Sequence, residues 1–105
     1  MSATNAQVKR RLRGEILKLV YENHESQRSR LDDVTLAGVL ERLGFDVYVN
    51  LVQEIVEDLG ERDCVKFEEE KNRITGKKSI RKIQILPRGR DVIEKTICDA
   101  AVDVE

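Results

Sequence analysis

The residues best suited to chemistry in this sequence are cations gathered in one short segment. Residues 71–90 contain eight Lys or Arg and no Asp or Glu, although the whole chain has 19 basic and 20 acidic residues and a net charge of −1. A surface without a polyanionic partner usually intersperses its charges, whereas clustered cations are what neutralises phosphate groups. The segment therefore predicts contact with a polyanion. The alternative is that it pairs with the acidic residues that precede it.

The remaining charges are also segregated. Residues 1–31 carry seven basic and three acidic residues, residues 32–70 carry three and twelve, and residues 91–105 carry one and five. The first block includes a second basic cluster, which consists of Lys9, Arg10, Arg11 and Arg13. This cluster and the 71–90 segment are the two basic regions of the chain.

Few residues in the chain suit catalysis or metal binding. There is one histidine, His24, and the two cysteines, Cys64 and Cys98, are far apart and form no CxxC motif. Gly76 and Lys77 lack the upstream glycine of a phosphate-binding loop. We therefore predict no enzyme, no metal and no cofactor, with both cysteines as buried thiols in a reducing cytoplasm. No apolar run approaches the ~18 residues that a bilayer requires, and no signal-peptide core opens the chain, so no membrane contact is predicted.

Apolar periodicity predicts three helices before the basic segment. The first, near 7–23, has an apolar face at three- and four-residue steps that comprises Val8, Leu12, Ile16, Leu19 and Val20. The second begins after Asp32 or Asp33 as N-cap, buries Leu36, Val39, Leu40 and Leu43, and ends at Gly44. The third, near 47–60, is capped by Asp46, buries Leu51, Val52, Ile55, Val56 and Leu59, and ends at Gly60. Two short helices joined by a turn with glycine are typical of a helix-turn-helix.

After residue 63 the apolar period shortens towards two, which predicts a hairpin with strands at 64–70 and 79–86. Asn72 and Gly76 supply the turn at its tip. Pro87 begins a final helix near 88–104. Its apolar stripe of Ile93, Ile97, Ala100 and Val104 packs on the first helix or makes a dimer contact. We predict one domain over 1–105, with 1–6 as a disordered tail.

Three stretches resemble the winged helix-turn-helix superfamily. They read LAGVLERLGF at 36–45, LGERDCVKF at 59–67 and ILPRGRDVI at 85–93, and the last is similar to the strand-to-helix junction of MarR-like and PadR-like repressors. The resemblance covers residues 8–98 and implies an α+β fold of three helices, a two-stranded hairpin wing and a C-terminal helix. It also implies a small DNA-binding transcriptional regulator, with the third helix in the major groove and a homodimer formed through the final helix.

The resemblance and the charge pattern together select a set of candidate DNA-binding residues. Phosphate contacts fall to the wing cations and to two arginines of the first helix, namely Lys71, Arg73, Lys77, Lys78, Arg81, Lys82, Arg10 and Arg13. Base contacts fall to Asn50 and Gln53 on the third helix. The same side of that helix carries Glu54, Glu57 and Asp58, which a recognition helix does not usually place in the groove. The alternative is therefore a winged-helix module that binds protein and docks its basic hairpin on an acidic partner.

Overall fold

Three helices precede a two-stranded antiparallel hairpin and a short last helix in the computed structural model, which describes residues 5–25 and 31–104. The elements are α1 (Asn5–Glu25), α2 (Asp33–Arg42), α3 (Val49–Glu61), β1 (Val65–Lys71), β2 (Lys78–Ile85) and α4 (Pro87–Ile93). This is the α+β, winged-helix layout that the sequence predicts. The predicted tail up to residue 4, and residues 26–30 of the connector after α1, lie outside the described residues.

One apolar core joins the helices to the hairpin. Its fully buried aliphatic side chains include Leu12, Ile16 and Leu17 from α1, Leu36 and Leu40 from α2, Ile55 and Leu59 from α3, and Ile80 and Ile83 from β2. Each such side chain contributes roughly 1.5–3 kcal/mol of transfer free energy. Two predicted core positions were wrong: Val8, in the second turn of α1, and Leu43, at the end of α2, are 48% and 55% exposed.

The start and end of α2 confirm the predicted caps. Asp32 is the N-cap, and its carboxylate accepts a hydrogen bond from the Thr35 amide at 2.7 Å. Gly44 follows the helix with φ +96°, a left-handed conformation that glycine adopts without strain.

The predicted limits of α3 need correction. The helix begins at Val49 with Tyr48 as N-cap, so Asp46 does not cap it. Gly60 lies inside the helix, and the turn that follows has its positive φ at Asp63. The absence of a side chain at Gly60 serves packing, because an added Cβ would lie 2.8 Å from the ring of Phe67.

A β-bulge shapes the hairpin. Val65 pairs with Ile85 and Lys71 with Lys78, and the register shifts between Lys66 and Glu68. Lys82 lies opposite this shift and has φ +54°. The extra residue on β2 allows Ile80 and Ile83, three positions apart, both to face the core.

The last helix is much shorter than predicted. α4 has Pro87 in its first turn, as expected, but it ends at Ile93, and Lys95 has φ +62°. Residues 94–104, the C-terminal segment, then return to α1, where the Asp103 amide donates to the Arg10 carbonyl oxygen at 3.1 Å and Val102 is buried. The predicted stripe over 93–104 is therefore not a continuous helical face. None of the helices in the described ranges combines the length and the apolar character that a bilayer span needs.

Candidate nucleic-acid interface

The outer end of the hairpin is an ordered loop, and we call residues 71–77 the wing tip. The Asn72 amide donates to the Lys77 carbonyl oxygen at 2.8 Å, and the Gly76 amide donates to the Asn72 carbonyl oxygen at 2.8 Å. Asn72 Oδ1 accepts from the amides of Ile74, at 2.8 Å, and Thr75, at 3.0 Å. Gly76 provides the left-handed residue, with φ +72°. The loop conformation is thus fixed by local hydrogen bonds before any partner arrives.

Three cations of the wing tip face solvent. Lys71 and Arg73 lie on its N-terminal arm and Lys77 on its C-terminal arm, and all residues from 68 to 77 are exposed. None of the three forms an ion pair with another residue in the described part of the chain. Their charge is therefore available to an external anion from both arms of the loop.

The other three predicted wing cations are paired across the hairpin. Arg81 lies 3.0 Å from Glu70, Lys82 lies 3.5 Å from Glu68, and Lys78 lies 3.7 Å from Glu69. Each carboxylate of the β1 acidic run thus has a partner on β2. The internal pairing that the sequence left open applies to this half of the ribbon, and the predicted wing cations without an ion pair in the described residues are those of the wing tip.

Lys78 also joins the wing to α3. Its Nζ donates to Glu57 Oε2 at 2.7 Å. This hydrogen bond to a carboxylate, with the attraction of Glu57 and Glu69, raises the pKa of Lys78 above its ordinary value against the opposing effect of burial. Lys78 therefore acts as a bridge between wing and helix rather than as a free cation.

Cations of α1 pair with the acidic side of α3. Lys9 Nζ lies 2.9 Å from Glu54, and Arg13 pairs with Asp58. Arg13 also donates to the Ala101 carbonyl oxygen at 3.1 Å, so its guanidinium is engaged on two sides. Arg10 is exposed, and it is the one of the two predicted arginines of α1 that solvent reaches readily.

The two predicted base-reading residues have different surroundings. Asn50 is exposed at the start of α3. Gln53 is 7% exposed, and its Nε2 donates to Asp33 Oδ2 at 2.7 Å and to the Lys78 carbonyl oxygen at 2.8 Å. This placement suits a residue that positions the wing on α3 and does not suit one that reads a base edge.

Two further residues shape the site without having been predicted. Asp33, considered only as a helix cap, is 2% exposed and links α2, α3 and β2 through Gln53 and the Ile80 amide at 3.0 Å. Ile74, at the apex of the wing tip, is 95% exposed. The sequence signal that could have identified Ile74 is that it is the one large apolar residue in the eight-residue stretch 71–78.

The cysteines differ from each other. Cys64 is buried, and burial raises the pKa of its thiol above the ordinary value, although the nearby Arg88 opposes this effect. Cys98 is exposed, so the prediction of two buried thiols was wrong for this residue. Within the described ranges, no three His, Cys, Asp or Glu side chains are grouped so that they could hold a metal ion.

Neither the models of known protein families nor the curated proteins give a match to this sequence. Its function is therefore inferred from the geometry and charge of the wing tip.

Proposed function

We propose that the protein binds duplex DNA through the wing tip, as a small winged-helix regulator of transcription. Lys71 and Arg73 on one arm and Lys77 on the other would contact phosphates of the two strands that border a groove. The observation that carries the proposal is the difference between these cations, which have no ion pair in the described chain, and the paired cations of the wing behind them.

In this proposal α3 plays a secondary part. Asn50 is the exposed polar residue of α3 that could contact a base edge. Glu54 and Glu57 share its side of the helix, and Lys9 and Lys78 neutralise them without reversing the sign of the charge. Affinity would therefore come mainly from phosphate contacts of the wing, with little base readout from α3.

The second candidate function, a winged helix that binds protein, rests on the same acidic side of α3. Because Glu54 and Glu57 already have cationic partners in the chain, we favour DNA as the partner. Homodimerisation remains a prediction. The long final helix that was expected to form the dimer contact is not present in the described residues, because α4 ends at Ile93.

The salt dependence of duplex binding tests the proposal. Each phosphate that a cation neutralises contributes about −0.9 to the slope of log K against log salt, so three tip cations give a slope of about −2.7. Replacing Lys71, Arg73 and Lys77 together with Gln should bring the slope close to zero and abolish saturable binding at moderate salt. Fluorescence anisotropy with a random-sequence duplex at several salt concentrations gives both quantities.

A control variant with the same total charge distinguishes an effect of the wing-tip cations from an effect of the net charge of the protein. Lys18, Lys66 and Lys95 are exposed and form no ion pair with a described residue, so replacing them with Gln changes the total charge by the same amount elsewhere. The control should keep the slope of the wild type. Equal effects of the two triple variants, or a wild type that does not bind duplex DNA, would contradict the proposal. Saturable binding of the wild type to an acidic protein alone would favour the second candidate.

A further inference from the structure

Ile74 is the most exposed of the large apolar residues in the described chain. Its side chain is 95% exposed, against 63% for Val34 and 68% for Tyr48. The backbone amide of Ile74 donates a hydrogen bond to the Asn72 carboxamide oxygen, so Ile74 is held at the apex of the loop. An apolar side chain on a fixed support loses little conformational freedom when it binds.

The charges around Ile74 limit how deeply the wing can enter a nucleic acid. Tip cations flank it on both arms, but Glu68, Glu69 and Glu70 come directly before Lys71. These carboxylates are paired with Lys78, Arg81 and Lys82, so this part of the ribbon carries no net positive charge that would favour its entry into a wide groove. Contact confined to the tip suits the minor groove, which is about 6 Å wide, better than the major groove of about 12 Å, which admits an entire two-stranded ribbon.

We propose that Ile74 is a wedge that enters the DNA minor groove and partly unstacks one base step, while the tip cations hold the phosphates on either side. This inference rests on the proposed function, and it adds that the bound DNA is bent. Apolar side chains inserted from the minor groove kink a duplex towards its major groove by about 20–90°.

Insertion of Ile74 also determines which DNA sequences the protein binds preferentially. Pyrimidine–purine steps, TA above all, are the most easily unstacked. The guanine amino group occupies the floor of the minor groove, whereas A·T pairs leave it open to an apolar side chain. The preferred target is therefore a flexible TA step within an A·T-rich stretch.

Energy transfer between dyes at the two ends of a duplex tests the wedge. The wild type should shorten the end-to-end distance of a duplex with a central TA step, by a bend of about 20° or more, and should shorten a G·C-centred duplex less. Ile74→Ser should lose the bend and the sequence preference while its salt slope stays near −2.7, because its three cations remain. Ile74→Leu should restore the bend, and Val34→Ser, which alters an exposed apolar residue of α2, should leave it unchanged.

The outcomes separate the wedge from the proposed function. If the wild type binds with the expected salt slope and Ile74→Ser bends DNA equally, or neither bends it, the wedge is overturned and the phosphate-binding wing stands. If the wild type does not bind duplex DNA, both fall. If it binds anionic phosphatidylserine vesicles in a manner that Ile74→Ser abolishes, with no Ile74-dependent change in DNA, the tip is assigned to a lipid surface and the wedge is overturned.

Discussion

Gly14 shows how a single residue can have a role that its local sequence context does not suggest. In the middle of a helix, glycine costs up to about 1 kcal/mol relative to alanine, so from sequence it is only a weak point of α1. In the structure Gly14 is buried, and a Cβ added to it would overlap the carbonyl oxygen of Asp103. The missing side chain is what lets the C-terminal segment lie against α1.

Substitution of Gly14 should therefore lower stability even though it improves helix propensity. We expect Gly14→Ala to displace the C-terminal segment and so remove the burial of Val102, at a net cost of about 1–2 kcal/mol once the propensity gain is subtracted. Urea unfolding gives the free energy, and limited proteolysis within 94–104 reports the displacement. Gly38→Ala is the matched control, since an added Cβ there meets nothing within 4 Å and should be neutral or stabilising. Equal effects of the two substitutions would show that the close approach at Gly14 is unimportant.

Among elements, the buried Asp33 carboxylate connects α2 to both α3 and the wing. It accepts hydrogen bonds from Gln53 Nε2 at 2.7 Å and from the Ile80 amide at 3.0 Å. Removing it leaves two buried donors without their acceptor, and each such loss costs about 1–3 kcal/mol. Asp33 thus helps to fix the orientation of the wing relative to α3, together with the contacts that Lys78 makes with Gln53 and Glu57.

Asp33 and its neighbour provide a paired test of this connection. Asp33→Ala should lower the free energy of unfolding by about 2–4 kcal/mol and sharply reduce hydrogen-exchange protection of the Ile80 amide. Asp32→Ala removes only the N-cap of α2, so it should cost about 1 kcal/mol and leave Ile80 protected. Undiminished protection of Ile80 in Asp33→Ala would rule out the proposed connection.

The same elements show what the sequence could and could not predict. Helical and strand periods give α1, α2, α3 and both strands to within a few residues, because each has an apolar face of the right period. They fail for α4, since the repeat of Ile93, Ile97 and Val104 looks helical while the chain turns at Lys95. They also miss the bulge at Lys82 and the burial of Gln53, which depend on partners distant in sequence.

At the scale of the whole molecule, folding redistributes the charge that the sequence displays. The eight cations of residues 71–90 appear as one uniform block in the chain, yet Lys78, Arg81 and Lys82 pair with acids of the preceding block and Lys71, Arg73 and Lys77 do not. Charge segregation predicted six wing cations for contact with a polyanion, and three of them have no ion pair with another described residue. The pairing depends on strand register and on the docking of the wing against α3, neither of which periodicity reveals.

Asp99 attaches the C-terminal segment to α4 and to the end of α3. Its carboxylate lies 2.9 Å from Arg88 Nη2 and 3.6 Å from Arg62 Nη1, and its Oδ1 accepts from the Ala101 amide at 2.9 Å. The backbone hydrogen bond from Ala101, with the help of the two guanidinium groups, holds the pKa of Asp99 below its ordinary value of 3.8 against the opposing effect of burial. The C-terminal segment should therefore attach to the rest of the molecule in a pH-dependent manner.

The direction of this dependence follows from proton linkage. Because the pKa of Asp99 is lower in the folded chain than in the unfolded chain, the unfolded state binds more protons in acid, and the contribution of Asp99 to stability is full above about pH 5 and declines below it. Asp99→Asn should lower the free energy of unfolding by about 1–2 kcal/mol at pH 7, since the arginine ends are partly screened by solvent. The difference from the wild type should shrink as the pH falls through the lowered pKa of Asp99, because both folded chains then lack the charge. Urea unfolding at pH 7, 5 and 3 measures this difference, and Asp103→Asn, which alters an exposed carboxylate of the same segment, should give almost none at any pH. A difference that stays constant from pH 7 to 3 would mean that Asp99 acts through packing and not through its charge.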